Sequence, residues 1–231
     1  MRWARNGYRW TWWIGSLLAA CSGAADRPAP APPAKDIPAP ADPRRTVLFV
    51  GTSLTAGLGL DPADAYPAQV QLKIDSAGLP FRVVNAGVSG ETSAGALRRI
   101  DWLLGQGPTA VLVIETGAND GLRGQPIDSL RSNLAGILAK ASTATPRPAL
   151  VVAGMEAMPN LGRQYGDDFR ALFPKVASEY GAHYLPFLLN GVAGIDTLNQ
   201  ADGIHPTPRG ARIVASNVWK TLKPILDSIS K

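Results

Sequence analysis

The sequence predicts an α/β fold, a three-layer α/β/α sandwich built on a five-stranded parallel sheet. Short apolar runs alternate with helical patterns from Arg45 onward, and this alternation is typical of parallel strands joined by helices. The runs lack the strict polar–apolar alternation of strands that face water on one side, which indicates a sheet covered on both faces. With 231 residues, 45% of them hydrophobic, the chain has enough apolar material for one sizeable core.

Five short runs of apolar and β-branched residues are predicted as strands. They are Thr46–Val50, Arg82–Asn85, Ala110–Glu115, Leu150–Ala153 and His183–Leu185. Helical periodicity fills the gaps between them. One helix is predicted from about Ile127, a second from about Tyr165 to Tyr180 with Gly181 as its stop, and a third from Thr207-Pro208, a cap followed by proline.

The first 20 residues are predicted to be a lipoprotein signal peptide. Arg2, Arg5 and Arg9 supply positive charge, and residues 11–20 form an uncharged, mostly apolar run. This run is about half of the roughly 20 residues that a spanning helix needs. The sequence Leu18-Ala19-Ala20-Cys21 resembles the bacterial lipobox, in which cleavage precedes the cysteine and its thiol receives diacylglycerol. The alternative is a plain signal peptide with an incidental cysteine.

Residues 21–43 are predicted to be the lipidated Cys21 followed by a Pro/Ala-rich tether. Such a tract favours extended polyproline II, at about 3.1 Å per residue, and so reaches roughly 70 Å. The alternative is a disordered tail with no tethering role. The folded domain is predicted over residues 44–231. The protein is therefore expected to be exported to the bacterial cell envelope, lipid-anchored to a membrane through Cys21, and periplasm-facing.

Charge and cysteine content exclude other classes of partner and bond. The formal net charge is +5, but the basic residues of the domain are scattered and form no stripe interleaved with aromatic residues. We therefore expect no nucleic-acid partner. Cys21 is the one cysteine of the chain, so an intrachain disulfide is impossible.

Polar residues and glycines cluster after the predicted strands, where ligands bind in parallel α/β sheets. The segments are Gly51–Leu54 after the first strand, Asn85–Thr92 after the second, Glu115–Gly121 after the third and Asp202–Pro206 after the fifth. The segment Gly154–Arg163 follows the fourth strand and is predicted to line an acyl pocket, with a packed core loop as the alternative.

These segments contain the residue types that acyl transfer requires: a nucleophile, a base, a group that orients the base, and oxyanion donors. Ser53 is the candidate nucleophile. The chain has two histidines. His183 lies in a predicted strand and is interpreted as a packed or surface residue, which leaves His205 as the candidate base. Asp202, three residues earlier, can orient it, and the alternative is a loop pair that only forms a turn.

Two further residues are candidate oxyanion donors. The side-chain amide of Asn119 can point at a developing oxyanion, and Gly90 can offer its backbone N–H with no side chain in the way. The alternative for each is a residue that only supports a turn in a Gly-rich loop.

Taken together, four blocks of sequence resemble those of the SGNH subgroup of the GDSL esterase/lipase family. The blocks are GTSLTAGLG, NAGVSGETSAG, GAND and DGIHP, in that order. The resemblance covers about residues 46–225 and is greatest to the arylesterase and acyl-thioesterase/lysophospholipase branch. It implies the flavodoxin-like SGNH hydrolase fold and a small-molecule acyl ester or thioester substrate. It implies no metal ion and no organic cofactor.

The resemblance also assigns roles to single residues. It implies that Ser53 is the nucleophile, that His205 is the general base and that Asp202 orients His205. The backbone N–H groups of Ser53 and Gly90, with the amide of Asn119, are implied to form the oxyanion hole.

Thr52 departs from the family pattern, which usually has Asp at this position. A threonine hydroxyl can still form a hydrogen bond, but it brings no negative charge to the Ser53 loop. Residue 55 is a threonine, so the Gly-x-Ser-x-Gly elbow of α/β-hydrolases is absent around Ser53, and this argues against that fold.

The sequence therefore predicts a serine hydrolase of carboxylic esters. One alternative is a carbohydrate O-acetylesterase that acts on envelope glycans with the same triad. Another is a tethered binding module that has lost catalysis, which the threonine at position 52 makes conceivable.

Overall fold

The computed structural model describes residues 42–231. The signal peptide, the lipobox with Cys21 and all but the last two residues of the tether lie outside the described residues. The described part is an α/β sandwich whose five parallel strands lie in the order β2-β1-β3-β4-β5. This is the flavodoxin-like order, and the predicted fold class is confirmed.

All five predicted strands are present. They are β1 (Arg45–Gly51), β2 (Phe81–Gly87), β3 (Thr109–Ile114), β4 (Ala149–Ala153) and β5 (His183–Leu185). Gly51 of β1 pairs with Gly87 of β2, and Val50 pairs with Ile114 of β3. The carboxyl ends of these three strands are therefore level. Glu115, predicted as the last residue of a strand, lies one position beyond β3.

Helices cover both faces of the sheet. They are α1 (Ser53–Ala56), α2 (Tyr66–Ser76), α3 (Ser93–Leu104), α4 (Ala118–Leu122), α5 (Ile127–Ser142), α6 (Arg163–Glu179) and α7 (Pro208–Ile229). Helices α2 and α7 pack together in one layer, while α5 packs between α3 and α6 in the other. Thr207 caps α7 by accepting a hydrogen bond from the backbone N–H of Gly210 at 3.3 Å, as its sequence predicts. Among residues 42–231, no helix combines the length and apolar character needed to cross a membrane.

The central strands explain the continuous apolar runs in the sequence. Val47 and Phe49 of β1 point to one face of the sheet, and Leu48 and Val50 point to the other. All four side chains are buried. Helices on both sides of β1 leave no position for a polar side chain. The edge strand β2 is only partly buried after Phe81. Burial on both faces thus replaces the alternating pattern of a one-sided sheet.

Two glycines allow α1 to sit directly on the ends of β1 and β2. A Cβ atom at Gly87 would lie 2.2 Å from the backbone nitrogen of Ala56, and one at Gly51 would lie 2.0 Å from Oγ1 of Thr55. No side chain fits at either position without displacing α1. The close approach places Ser53, the first residue of α1, at the carboxyl edge of the sheet.

Candidate active site

A chain of hydrogen bonds joins three residues from the first and last segments of the domain. Nε2 of His205 lies 2.8 Å from Oγ of Ser53, and Nδ1 lies 2.7 Å from Oδ2 of Asp202. Ser53 and His205 are 152 residues apart in sequence. The fold therefore brings together the three residues that the sequence singles out as nucleophile, base and orienting acid.

The Asp202–His205 turn fixes the imidazole. Oδ1 of Asp202 accepts hydrogen bonds from the backbone N–H groups of His205 at 3.0 Å and Ile204 at 2.9 Å. The bond from the His205 backbone, then the imidazole and the Ile204 N–H, lower the pKa of Asp202 to about 2. An ionised Asp202 accepts a hydrogen bond from Nδ1–H of His205. Nε2 is then without a proton and free to accept the hydroxyl proton of Ser53.

A glutamine fastens the histidine loop to the serine loop. The backbone N–H of Gln200 donates to the carbonyl oxygen of His205 at 2.7 Å and closes the turn. Its side-chain amide donates to the carbonyl oxygen of Leu58, which follows α1, also at 2.7 Å. The distance between Ser53 and His205 is therefore held by a bond between their two loops.

Two candidate oxyanion donors lie beyond neighbouring strands, Gly90 in the loop after β2 and Asn119 in α4, after β3. Gly90 is exposed and has a φ of 77°, which favours glycine, and Arg123 donates to its carbonyl oxygen at 3.1 Å. Nδ2 of Asn119 donates one hydrogen to the carbonyl oxygen of Glu91 at 3.0 Å. An amide nitrogen carries two hydrogens, so the second is available to a ligand. Asn119 and Ser53 line the same cavity.

An ion pair stiffens the loop that carries Gly90. The guanidinium of Arg99 binds both carboxylate oxygens of Glu91, with the shortest distance 2.6 Å, and both side chains are largely shielded from water. Arg99 also reaches the carbonyl oxygen of Gly51 at 3.4 Å, and the backbone N–H of Val88 donates to that same oxygen at 2.9 Å. The loop after β2 is thereby fixed to the end of β1.

Two buried acids in this region were missed by reasoning from the sequence. The first is Asp120, which is 3% exposed and accepts hydrogen bonds from the backbone N–H of Ser93 at 2.8 Å and from its hydroxyl at 2.6 Å. The neighbouring Asn119 is thereby held against the start of α3. An acidic residue beside Asn119 in a glycine-rich segment gives no signal that distinguishes a buried acceptor from an exposed turn residue.

The second is Glu115, which has no exposed surface. Its carboxylate accepts hydrogen bonds from the backbone N–H of Thr52 at 2.8 Å, from the Thr52 hydroxyl at 2.9 Å and from the Thr55 hydroxyl at 2.8 Å. Burial raises the pKa of Glu115 to about 7, against the lowering effect of these bonds. The available signal was its position, a carboxyl group directly after an apolar run.

An apolar cavity of about 360 Å³ opens beside Ser53, Asn119 and His205. Its apolar lining includes the side chains of Leu54, Leu122, Met155, Met158, Phe187 and Leu189. Part of the segment predicted to line an acyl pocket does border this cavity. Met155 is buried there, whereas Met158 is 44% exposed, so the same segment also contributes to the core. The other histidine, His183, begins β5 with an exposed side chain.

Comparison with known proteins places this geometry among ester hydrolases. The model of the GDSL-like lipase/acylhydrolase family matches residues 49–213. The chain is 41% identical over 182 residues to esterase TesA of Pseudomonas aeruginosa, with 79% of this chain and 90% of that protein covered. It is 35% identical over 182 residues to thioesterase 1/protease 1/lysophospholipase L1 of Escherichia coli, with 79% and 85% covered.

A solved structure agrees with these relatives. The crystal structure of the psychrotrophic esterase EstA from a Pseudoalteromonas species, inhibited by monoethylphosphonate, superposes with a TM-score of 0.75. The two sequences are 32% identical, and the match covers 79% of this chain and 99% of the other.

The raised pKa of Glu115 predicts a pH-dependent stability. Between pH 4.5 and about 7, an unfolded chain releases a proton that the folded chain retains. Ionisation in this window therefore favours the unfolded state. The contribution of Glu115 to the free energy of unfolding is fully present below pH 4.5. It falls by roughly 3 kcal/mol as the pH rises to about 7. Urea unfolding at about pH 5 and about pH 8 measures the difference.

Replacement of the carboxyl group should remove this dependence. From the lower to the higher pH, the free energy of unfolding of the wild type should fall by more than that of Glu115→Gln. Glu179→Gln, which changes an exposed glutamate of α6, should follow the wild type. An equal change in the free energy of unfolding of the wild type and Glu115→Gln would contradict the raised pKa of Glu115.

Proposed function

This chain belongs to the GDSL-like lipase/acylhydrolase family of esterases, and we propose that it hydrolyses carboxylic esters through a Ser53–His205–Asp202 triad. The observation that carries the proposal is the continuous hydrogen-bond chain, 2.8 Å from Ser53 to His205 and 2.7 Å from His205 to Asp202. It has the order of nucleophile, base and orienting acid that serine catalysis needs.

The geometry supports a two-step acyl transfer. Oγ of Ser53 attacks the ester carbonyl carbon as Nε2 of His205 takes the hydroxyl proton, and a tetrahedral oxyanion forms. As the bond to the leaving oxygen breaks, His205 returns the proton to that oxygen and an acyl-serine remains. A water molecule, deprotonated by His205, then attacks the acyl carbon, and the acid is released as His205 returns the proton to Oγ of Ser53. Asp202 stays ionised throughout and stabilises the protonated imidazole.

Three donors are proposed to stabilise the oxyanion. They are the backbone N–H groups of Ser53 and Gly90 and the free amide hydrogen of Asn119. The support for Asn119 is its fixed orientation, since its other hydrogen is bound to the carbonyl oxygen of Glu91. Donors held before the substrate arrives need no reorganisation as charge develops, which is the source of their catalytic effect.

The substrate is proposed to be a small-molecule ester or thioester with an apolar acyl chain. The cavity next to Ser53 is lined mainly by aliphatic, thioether and aromatic side chains, which favour a hydrocarbon chain over a sugar. Relatives named as an esterase and as a thioesterase/lysophospholipase agree with this class. The apolar lining argues against the alternative of a carbohydrate O-acetylesterase, whose acyl group is a single methyl and whose alcohol is a polar glycan.

The location is proposed from the first part of the sequence. A signal peptide over residues 1–20, a diacylglyceryl group on Cys21 and a Pro/Ala-rich tether through residue 43 would hold the domain of residues 44–231 on the periplasmic side of a bacterial membrane. The support is the sequence Leu18-Ala19-Ala20-Cys21 after an apolar run.

Substitutions at the triad should abolish turnover of a p-nitrophenyl ester. Ser53→Ala and His205→Ala should lose nearly all activity, and Asp202→Asn should lose up to about 10⁴ in kcat. Asn119→Ala should lose roughly 10²–10³ in kcat. The wild type should react rapidly with a fluorophosphonate probe, and Ser53→Ala should not.

Ser178→Ala, at an exposed serine of α6, is the matched control. It should keep both the ester turnover and the reaction with the fluorophosphonate probe. Near-normal turnover in Ser53→Ala would end the hypothesis. Absence of probe labelling in the wild type would instead support a binding module without catalysis.

The cavity should produce a preference for longer acyl chains. Each methylene that the cavity buries contributes about 0.8 kcal/mol, or roughly fourfold in kcat/KM. The rate should therefore rise from p-nitrophenyl acetate through butyrate to hexanoate. Met158→Asp, at the half-exposed rim, should flatten this rise, whereas Leu72→Asp, at an exposed leucine of α2, should not. A maximum at acetate, with release of acetate from acetylated xylan or peptidoglycan, would favour the O-acetylesterase instead.

Lipid attachment is tested by labelling in a bacterial host. The full chain should incorporate labelled palmitate and sediment with membranes, and Cys21→Ser should do neither. Ser22→Ala, one residue further along, should behave as the wild type. Labelling that survives in Cys21→Ser would overturn the anchor.

A further inference from the structure

Glu115 is a buried acid that the triad does not use. It follows β3 at the carboxyl edge of the sheet and lies under the turn that begins α1. Its three hydrogen bonds go to Thr52 and Thr55, the residues one position before and two positions after Ser53. The contacts therefore hold the backbone on both sides of the proposed nucleophile.

An ionised carboxylate accepts all three of these hydrogen bonds at once. The N–H of Thr52 can only donate. Burial raises the pKa of the Tyr66 phenol far above its ordinary value, so Tyr66 keeps its proton and can donate it to Oγ1 of Thr55, 2.7 Å away. The Thr55 hydroxyl is then left to donate its own hydrogen bond to the Glu115 carboxylate. A protonated Glu115 has a donor of its own and cannot accept from all three donors as the carboxylate does, so one of these bonds must break or, as the Thr52 hydroxyl allows, reverse its direction.

We propose that Glu115 is a positioning residue, whose ionised carboxylate holds the Thr52–Thr55 turn so that Ser53 presents its hydroxyl to His205 and its backbone N–H to the oxyanion. The inference rests on the proposed role of Ser53 as the nucleophile. Glu115 acts through the turn and touches no substrate. Its protonation loosens the turn and lowers turnover, while substrate binding in the apolar cavity is unaffected.

Hydrogen bonds, and not a neighbouring cation, stabilise the charge of Glu115. Tyr66 approaches from α2. Arg99 of α3 reaches the carbonyl oxygen of Gly51, but its guanidinium is paired with Glu91. Within residues 42–231, no lysine or arginine forms an ion pair with Glu115. The pKa of about 7 that burial gives Glu115 places its titration close to neutral pH, where loss of its charge affects the working enzyme.

Thr52 is central to this arrangement. The family usually has Asp at this position, and an aspartate here would set a second carboxyl group against Glu115, where two like charges disfavour ionisation. Threonine supplies a neutral donor instead, at 2.9 and 3.0 Å from the two carboxylate oxygens. The hydroxyl therefore supports the ionised form that the turn requires.

The test compares Glu115→Gln, Thr52→Val and Thr52→Ser in the full chain, with kcat and KM for p-nitrophenyl butyrate measured across the pH range. In the wild type, two protonations should inactivate, one at His205 and one at Glu115. The acid limb of log kcat should therefore approach a slope of about 2. Glu115→Gln mimics the protonated acid, so its limb should have a slope of about 1 and its kcat should fall about ten- to hundredfold with KM little changed.

The threonine pair supplies a second, matched readout. Thr52→Val keeps the shape but removes the hydroxyl, and it should lower kcat and move the acid limb toward higher pH. Thr52→Ser restores the donor and should return both toward the wild type. Circular dichroism confirms folding of each variant. If Glu115→Gln does not fold, the two threonine variants decide the question.

Two outcomes overturn the inference: a wild-type acid slope in folded Glu115→Gln, or equal kcat and pH profile in Thr52→Val and the wild type. A fluorophosphonate probe separates this failure from failure of the proposed function. The variants should still be labelled at Ser53, only more slowly, whereas a wild type that is not labelled has no activated serine at all.

Discussion

The carboxyl end of β1 is the point to which the loops of the site are fastened. The carbonyl oxygen of Gly51 accepts a hydrogen bond from Val88 after β2, the N–H of Thr52 donates to Glu115 after β3, and Gln200 after β5 reaches the segment that follows α1. Each bond ties a different loop to the same short segment. Because that segment leaves a central strand whose last five residues are buried, the proposed nucleophile Ser53 is held by the core.

This arrangement depends on the absence of side chains at two glycines. Gly51 and Gly87 face each other in the register of β1 and β2, and each lies against α1 where a Cβ would come within about 2 Å of another atom. The strand ends can therefore support a helix that begins at Ser53. The serine turn is thus seated on the strand ends by close contacts at these glycines, and the side chains around it are free to supply charge and hydrogen bonds.

Reasoning from the sequence predicted the elements better than their contacts. The strands were found because burial on both faces leaves continuous apolar runs, and the long helices because their apolar faces recur with helical spacing. Ser53, Asn119, Asp202 and His205 stood out as polar residues after strands. Glu115 lies in the same kind of position but was not singled out, because a carboxyl group after an apolar run has the same sequence whether it faces water or the interior. Its partners come from another strand end, which only the folded chain brings within hydrogen-bond distance.

Two carboxylates in the site, Asp202 and Glu115, differ in charge because their environments differ. Asp202 lies near the surface, where three N–H donors keep its pKa low, so it remains charged, as its proposed role beside the imidazole needs. Glu115 lies in the interior, where burial outweighs its hydrogen bonds and raises its pKa. Its charge is therefore conditional on pH. In the proposed mechanism, a constant charge suits the group that faces the imidazolium, and the conditional charge inferred for Glu115 confines the well-ordered serine turn to neutral and alkaline solution.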